Sequence, residues 1–270
     1  MITVIIPMYN AEETIELVLD SVRTQTACNL IQKVIVVDDG SQDSSAEVIK
    51  GYMRKWTTFP LQYIYQENQG VAAARNRGYR EAQTKYIAFL DADDAWLPRK
   101  IERQIEIINK NPQIRFLGTA WEDTPLRIGF RKITSLYNGT VKDVCIKNFP
   151  VTPSILMETS FRDEVGYFNE KCRYAEDINY FQKIAALGNY YFLPEKLVQI
   201  DINKNFFAQT GQSSHLKEMH KGTIRNITEL RNAGQISLPF WICMRIFYQL
   251  KYYRRVFNRT RSVWKGQKKR

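Results

Sequence analysis

Short apolar runs alternate with amphipathic segments over the first 120 residues of this 270-residue chain. Four runs are rich in β-branched and aromatic residues and predict buried strands at 3–6, 34–37, 62–65 and 86–90. Between them, apolar residues recur at helical spacings of three and four, at Ile15, Leu17, Val18 and Val22 and then at Ala46, Ile49 and Met53. Strand alternating with helix predicts an α/β fold with a Rossmann-like, mostly parallel sheet flanked by helices.

The pattern changes after a fifth predicted strand at 114–120. Irregular β-like pieces occupy 121–174, and a helix follows at 175–186, closed by Gly188. A strand is predicted at 190–200, and helical segments lie beyond 211. The Ser-Leu-Pro sequence at 237–239 marks a boundary, so we divide the chain into 1–120, 121–236 and 237–270.

Polar residues follow the predicted strands where each one ends, and such ends share one edge of a parallel sheet. Asp91-Ala92-Asp93 is the most informative of these segments. Two carboxylates two residues apart point the same way on an extended chain, and oxygen ligands suit Mg²⁺ or Mn²⁺, with a nucleotide diphosphate completing the coordination. The alternative is a helix N-cap, with Asp93 or Asp94 before a helix that starts near Pro98.

Four further features of the sequence each have two interpretations. Asp39, before Gly40, either accepts a hydrogen bond from a base or ribose or belongs to a plain turn. Tyr9 either stacks on a nucleobase or simply packs against the rest of the protein. Arg75, soon after Gly70, reaches a phosphate or acid or lies on the surface. Glu176-Asp177 supplies a general base, or it stabilises a helix N-terminus.

Together these segments resemble the inverting family-two glycosyltransferases with the A-type (GT-A) fold, of the bacterial cell-surface polysaccharide type. The resemblance covers roughly residues 1–215 and rests on five motifs in order: Ile5-Ile6-Pro7-Met8-Tyr9-Asn10, Val37-Asp38-Asp39-Gly40-Ser41, Asn68-Gln69-Gly70 with Ala74-Arg75-Asn76, Asp91-Ala92-Asp93-Asp94 and Glu176-Asp177.

The resemblance implies a role for each of these residues. Asp39 would bind the uracil or thymine ring, and the nucleotide site would also include Pro7, Tyr9, Gly70, Arg75, Asp91 and Ala92. Asp93 would ligate the metal, joined by His215, which could instead be a solvated loop histidine. Asp177 would be the catalytic base, with Glu176 beside it on the acceptor side.

The activity implied is metal-dependent transfer of one sugar from a UDP- or dTDP-sugar to a hydroxyl of a glycan or lipid-linked glycan, with inversion. Residues 1–120 would bind the nucleotide sugar and 121–236 the acceptor. Processive relatives carry a Gln-any-any-Arg-Trp motif that this sequence lacks, so we expect a single addition per encounter. The alternative function is a catalytically inactive, glycosyltransferase-like scaffold at the membrane.

The net charge of +11 comes entirely from the C-terminal segment. From Leu230 onward there are eleven basic residues and no acid, whereas basic and acidic residues cancel over 1–229. Basic and aromatic residues together predict that 237–270 binds an anionic membrane surface, unless its helix only packs on the domain. With no signal peptide or bilayer-spanning run, we expect a cytoplasmic protein, peripheral on the inner face of the membrane, that does not bind nucleic acid.

Overall fold

A central sheet organises the protein, of which the computed structural model describes residues 1–202 and 215–267. The strands within those ranges are β1 (Ile2–Met8), β2 (Ile31–Asp39), β3 (Leu61–Gln66), β4 (Tyr86–Phe89), β5 (Ala95–Trp96), β6 (Phe116–Ala120), β7 (Arg127–Ile128), β8 (Arg131–Lys132), β9 (Tyr137–Asn138), β10 (Leu156–Glu158), β11 (Tyr191–Lys196) and β12 (Val198–Gln199). The main sheet has the order β3-β2-β1-β4-β10-β6-β11-β9. Strands β1 to β4 run parallel, as do β6 and β11, while β10 and β9 are antiparallel to their neighbours. The prediction of a mostly parallel sheet is confirmed.

Helices cover both faces of this sheet. Their bounds are α1 (Ile15–Arg23), α2 (Ser45–Lys55), α3 (Val71–Glu81), α4 (Lys100–Lys110), α5 (Val141–Ile146), α6 (Phe161–Val165), α7 (Glu176–Ala186), α8 (Leu216–Asn232) and α9 (Leu238–Gln267). Helices α1, α2 and α4 pack on one face and share a core with Val4 and Ile6 of β1. Helices α3 and α7 pack on the other face with Ile5. This alternation along β1 is what a strand buried on both sides requires.

Several elements differ in detail from the sequence prediction. Leu17 and Met53 are 55% and 38% exposed, because the buried stripes of α1 and α2 run through their neighbours instead. The predicted strand at 190–200 is two strands, since β11 joins the main sheet whereas β12 pairs with β5 in a separate two-stranded sheet. The short β10 inserts between β4 and β6. Its three residues lie in the segment that the sequence leaves irregular.

Helix α9 forms the C-terminal part of the structure and packs through one side only. Met244 and Tyr248 are buried against Cys145 of α5 and Ile227 of α8, and the Tyr248 hydroxyl donates to the Cys145 carbonyl. Leu238, Ile242, Ile246, Leu250 and Tyr253 are exposed on the side away from these contacts. Within the described ranges, no helix combines the length and the apolar character that a bilayer span needs.

Candidate active site

The carboxyl edge of the sheet forms a cleft that gathers most of the predicted site residues. A cavity of about 500 Å³ is lined by Pro7, Tyr9, Arg75, Asp91, Ala92, Asp93, Glu176 and Asp177. A second depression of about 620 Å³ shares Tyr9 and is lined by Asp39, Gly70 and His215. All of the predicted site residues therefore lie on two adjoining concave surfaces.

Asp38 and Asp39 end β2 and take different roles in the turn that follows. Asp38 accepts hydrogen bonds from the Ser41 amide (2.8 Å) and the Tyr63 hydroxyl (2.6 Å), and it is buried. Asp39 accepts from the backbone amides of Gln69 (2.9 Å) and Gly70 (2.8 Å). Asp38 is a turn residue, whereas Asp39 fastens the loop before α3 and lines the second depression.

Two glycines allow these loops to meet. Gly40 has φ +80°, and a Cβ at this position would lie 2.9 Å from the Asn68 amide nitrogen. The turn after β2 therefore packs closely against the loop between β3 and α3. Gly70 has φ +93° at the start of α3, and no described atom lies within 4 Å of the position that its Cβ would take. Both backbone conformations are rare for residues with a Cβ, and Gly70 lines the second depression without a side chain to fill it.

Arg75 connects the two sides of the cleft. It lies on α3, is 5% exposed, and donates to Asp91 Oδ1 at 2.7 Å and to Glu176 Oε1 at 3.0 Å. Among the described residues, Arg75 Nε and Glu176 Oε2 find no hydrogen-bond partner although both are buried. The sequence leaves open whether Arg75 reaches a phosphate, an acid or solvent, and in the structure it pairs with two acids.

The carboxylates at the end of β4 carry more negative charge than their surroundings balance. Burial and the charge of Asp91 raise the pKa of Asp93 to about 6. Burial and the charges of Asp91 and Asp93 raise the pKa of Asp94 to about 8. Asp94 Oδ1 also accepts from the Asp201 amide at 2.8 Å, which ties β5 to β12. Asp94 is therefore a structural residue, and Asp93 is left facing the cleft.

The carboxylates at this edge fit a divalent cation. Asp93 offers oxygen to the cleft beside Asp91 and, in the described part of the chain, forms no ion pair. No set of three or more such side chains within those ranges stands close enough together to enclose an ion. Mg²⁺ and Mn²⁺ are commonly held by one or two carboxylates, with substrate phosphates and water supplying the rest. His215 lies on the other depression, where its ring is 5.5 Å from that of Tyr174, and it does not line the cavity with Asp93.

Glu176 and Asp177 begin α7 and face the cleft from the side opposite β4. Burial and the charge of Asp177 raise the pKa of Glu176 to about 7, although Arg75 opposes the shift. Burial raises the pKa of Asp177 as well. Glu176 is held by Arg75, whereas Asp177 is half-buried and accepts from the Ile178 amide at 2.7 Å. Asp177 is thus the more available of the two acids.

Helix α8 holds the start of α7 in an unusual backbone conformation. Ala175, the residue before α7, has φ +59°, which costs a residue with a Cβ about 1–2 kcal/mol. Asn226, fully buried, donates to the Ala175 carbonyl at 2.8 Å. A Cβ at Gly222 would lie 2.6 Å from the Tyr174 carbonyl oxygen, so only glycine lets α8 approach this closely. Sequence reasoning missed these residues because they follow Ala175 by about fifty positions without any local motif.

Comparison with known proteins relates the chain to enzymes that transfer sugars. The model of the family described as glycosyl transferase family 2 matches residues 3–135. The putative teichuronic acid biosynthesis glycosyltransferase TuaG of Bacillus subtilis is 35% identical over 151 residues, which are 54% of this chain and 59% of TuaG. The chain therefore spans somewhat over half of that relative.

Solved structures show the same fold at lower sequence identity. The mannosyltransferase PcManGT from Pyrobaculum calidifontis, in complex with GDP-Man and Mn²⁺, matches with a TM-score of 0.70 at 19% identity over 93% of this chain and 70% of that one. Staphylococcus aureus TarS 1–349, in complex with UDP-GlcNAc, matches with a TM-score of 0.63 at 18% identity over 92% of this chain and 71% of that one. The fold predicted from the sequence is confirmed.

Proposed function

Because the chain belongs to glycosyl transferase family 2, we propose that it transfers one sugar from a nucleotide-diphosphate sugar to a hydroxyl of a glycan or lipid-linked glycan, with inversion and without processivity. The observation that carries the proposal is the cleft in which Arg75 bridges Asp91 and Glu176 while Asp93 and Asp177 remain available. A TuaG-like role in polysaccharide synthesis agrees with such an acceptor.

We assign the nucleotide to the side of the cleft formed by β1, β2 and the start of α3. Asp39 already accepts hydrogen bonds from Gln66, Gln69 and Gly70, and a carboxylate has about four acceptor positions, so about one remains for a base N–H. Tyr9 is 49% exposed between the two depressions and offers a ring for stacking. A uracil or thymine presents one imide N–H to such an acceptor, which favours a UDP- or dTDP-sugar.

The proposed chemistry is a single displacement. The Asp177 carboxylate takes the proton of the acceptor hydroxyl as the hydroxyl oxygen bonds to the anomeric carbon, and the bond to the nucleoside diphosphate breaks on the opposite face. Arg75 holds Glu176 and Asp91 in place, and the sugar would lie in the cleft beside them. Asp93 would hold Mn²⁺ or Mg²⁺, which would neutralise charge on the leaving diphosphate.

The experiment that tests the donor site is thermal unfolding with UDP, dTDP, GDP and CMP, each with and without Mn²⁺. A ligand at about 100 times its Kd stabilises the folded state by about 2.7 kcal/mol. We expect a metal-dependent rise in Tm with UDP or dTDP that is lost in Asp93→Ala and kept in Asp163→Ala, whose side chain is exposed on α6. No shift with any nucleotide would contradict the transferase and favour the inactive scaffold.

We also propose that α9 binds anionic lipid at the inner face of the cytoplasmic membrane. The exposed stripe of Leu238, Ile242, Ile246, Leu250 and Tyr253 repeats every three or four residues, and each side chain is 46–64% exposed. Exposed Arg245 and Arg254 belong to the same helix. Because no acidic residue follows Glu229, two copies joined through this stripe would oppose like charges, whereas anionic lipid is complementary.

Co-sedimentation with phosphatidylglycerol vesicles tests this surface. Ile246→Glu with Leu250→Glu removes two apolar contacts, each worth about 1.5–3 kcal/mol when fully buried, so we expect vesicle binding to fall at least tenfold. Leu17→Glu with Met53→Glu is the matched control, since these side chains are exposed elsewhere on the protein. Equal binding by both variants would contradict the proposal, as would a dimer of the wild type that the first variant dissociates.

A further inference from the structure

A further cavity lies between α8 and α9, behind the start of α7, the helix that carries the proposed base Asp177. Its volume is about 200 Å³, and its lining includes Ile178, Met219, His220, Lys251 and Arg255. Neither the predicted donor residues nor the predicted metal ligands line it. The cavity is therefore separate from the nucleotide site.

This cavity adjoins the proposed acceptor side of the cleft. Ile178, on its wall, directly follows the proposed base Asp177, whose Oδ1 accepts from the Ile178 amide. Met219 lines both the cavity and the cleft. A molecule whose hydroxyl reaches Asp177 could thus extend past Met219 into the cavity.

The charged side chains of the cavity are cations without acidic partners. Within the described ranges, neither Lys251 nor Arg255 forms an ion pair with an Asp or Glu, and residues 203–214 and 268–270 contain no acid. Burial lowers the pKa of Lys251, and the charges of Arg255, Lys147 and Arg254 lower it further. Lys251 is half-buried and Arg255 is exposed, and an anion bound between them would offset their mutual repulsion.

We propose that this cavity binds the phosphate group that joins a lipid-linked acceptor glycan to its lipid. The inference rests on the proposed function and adds the chemical class of the acceptor, a phosphate or diphosphate ester of an apolar chain. Lys251 and Arg255 would pair with the phosphate, with His220 beside them, while the first sugars extend past Met219 toward Asp177.

The surroundings of the cavity suit the rest of such a molecule. Leu216 and Tyr252 line both the cavity and a further depression of about 340 Å³ along α9, where Val256 adds apolar surface for a lipid chain beside the charged Lys217, Glu218 and Arg259. The cavity lies on the side of α9 that packs on α8, opposite the exposed stripe. Because a helix with its side chains is about 10 Å across, a stripe at the acyl boundary places the cavity near the level of the headgroup phosphates.

Binding of farnesyl diphosphate in solution, without vesicles, tests the proposal by calorimetry. We expect Lys251→Gln with Arg255→Gln to weaken binding at least tenfold. Arg245→Gln with Arg254→Gln removes the same charge from the same helix outside the cavity, and we expect less than a twofold change. Arg255→Gln alone, at an exposed position, provides a variant whose folding is not at risk.

Each other outcome has a defined meaning. Equal binding by wild type and both double variants, or no binding by the wild type, would overturn the assignment. A loss confined to phosphatidylglycerol vesicles, with farnesyl diphosphate unaffected, would assign the cavity to a bilayer headgroup and also overturn it. The metal-dependent Tm shift with UDP should persist in all variants, and its absence from the wild type would refute the transferase rather than the phosphate site.

Discussion

Two groups of carboxylates lie at the same edge of the sheet and differ in how well the protein satisfies them. Asp38 and Asp39 accept hydrogen bonds on both oxygens from backbone amides and neutral side chains. Around Arg75, by contrast, one buried polar atom on Arg75 and one on Glu176 have no hydrogen-bond partner among the residues that the structure describes. The pKa of Asp93 is raised by burial and the charge of Asp91, and that of Asp177 is raised by burial.

The difference separates residues that shape the site from residues that we propose to contact a ligand. Buried polar groups are normally paired, so an unpaired one in a cleft indicates what a substrate or ion must supply. A carboxylate whose two oxygens already accept hydrogen bonds from the protein has few acceptor positions left for a ligand. On this basis we assign Asp38 to the fold and Asp39 to both the fold and the proposed nucleotide site, and we propose that Asp93, Glu176 and Asp177 take part in the chemistry.

The largest effect should come from substitution of Asp177, the proposed base. Asp177→Asn keeps the shape of the side chain and removes the proton acceptor, and a general base contributes about 10²–10⁴-fold. We expect kcat to fall at least 100-fold in a sugar-transfer assay, with the UDP- and Mn²⁺-dependent Tm shift intact. A variant that turns over at the wild-type rate would exclude Asp177 as the base.

Substitution of Arg75, which bridges Asp91 and Glu176, should have the next largest effect. This effect should be a loss in the free energy of unfolding. Arg75→Gln leaves Asp91 and Glu176 facing each other without a cation, and breaking a buried pair costs about 3–5 kcal/mol. Urea unfolding measures the loss. Arg77→Gln, on the exposed side of the same helix, is the control, with an expected change below about 0.5 kcal/mol.

The same variant has a predictable dependence on pH. The pKa of Glu176 is about 7 in the folded protein, above its ordinary value, so ionisation of this acid favours unfolding as the pH rises from 4.5 toward 7. Loss of Arg75 raises that pKa further. We therefore expect the destabilisation by Arg75→Gln to be smaller at pH 5.5 than at pH 8, and an equal loss at both would contradict the raised pKa.

A substitution in the support of α7 should have an intermediate effect. Gly222→Ala forces a Cβ to within 2.6 Å of the Tyr174 carbonyl, and overpacking typically costs about 1–3 kcal/mol. Gly51→Ala in α2 meets nothing closer than 4.0 Å and should stabilise by about 0.5–1 kcal/mol. If both substitutions stabilise the protein, the close contact between α8 and Tyr174 is not rigid.

The smallest effect should come from substitution of Asp38, whose two oxygens both accept hydrogen bonds. Asp38→Asn keeps one acceptor oxygen and loses the other, so one of the bonds to Ser41 and Tyr63 is lost at a cost of about 1 kcal/mol. We expect the UDP-dependent Tm shift to be unchanged. A lost shift would show that Asp38 contacts the nucleotide and would remove the distinction between the two groups.

Much of this organisation follows from local sequence, because strands β1 to β4 and the loops after them are consecutive along the chain. Apolar runs predict those strands, and the turn at Gly40 and the helix start at Val71 carry their own signals. The rest depends on distant contacts. Nothing near Arg75 indicates that Glu176, 101 residues later, is its partner. Strand β10 has only three residues, too few for a period to be read.

The contact between Ala175 and Asn226 also sets an order of events during synthesis. Asn226 follows Ala175 by 51 residues, so α8 leaves the ribosome well after the sheet strands β1 to β4 and the start of α7. A nascent chain that stops short of α8 holds the loops that we propose to bind the nucleotide but lacks the hydrogen bond from Asn226 to the left-handed Ala175. Assembly of the proposed site is thus timed by a helix that contributes no carboxylate to the reaction.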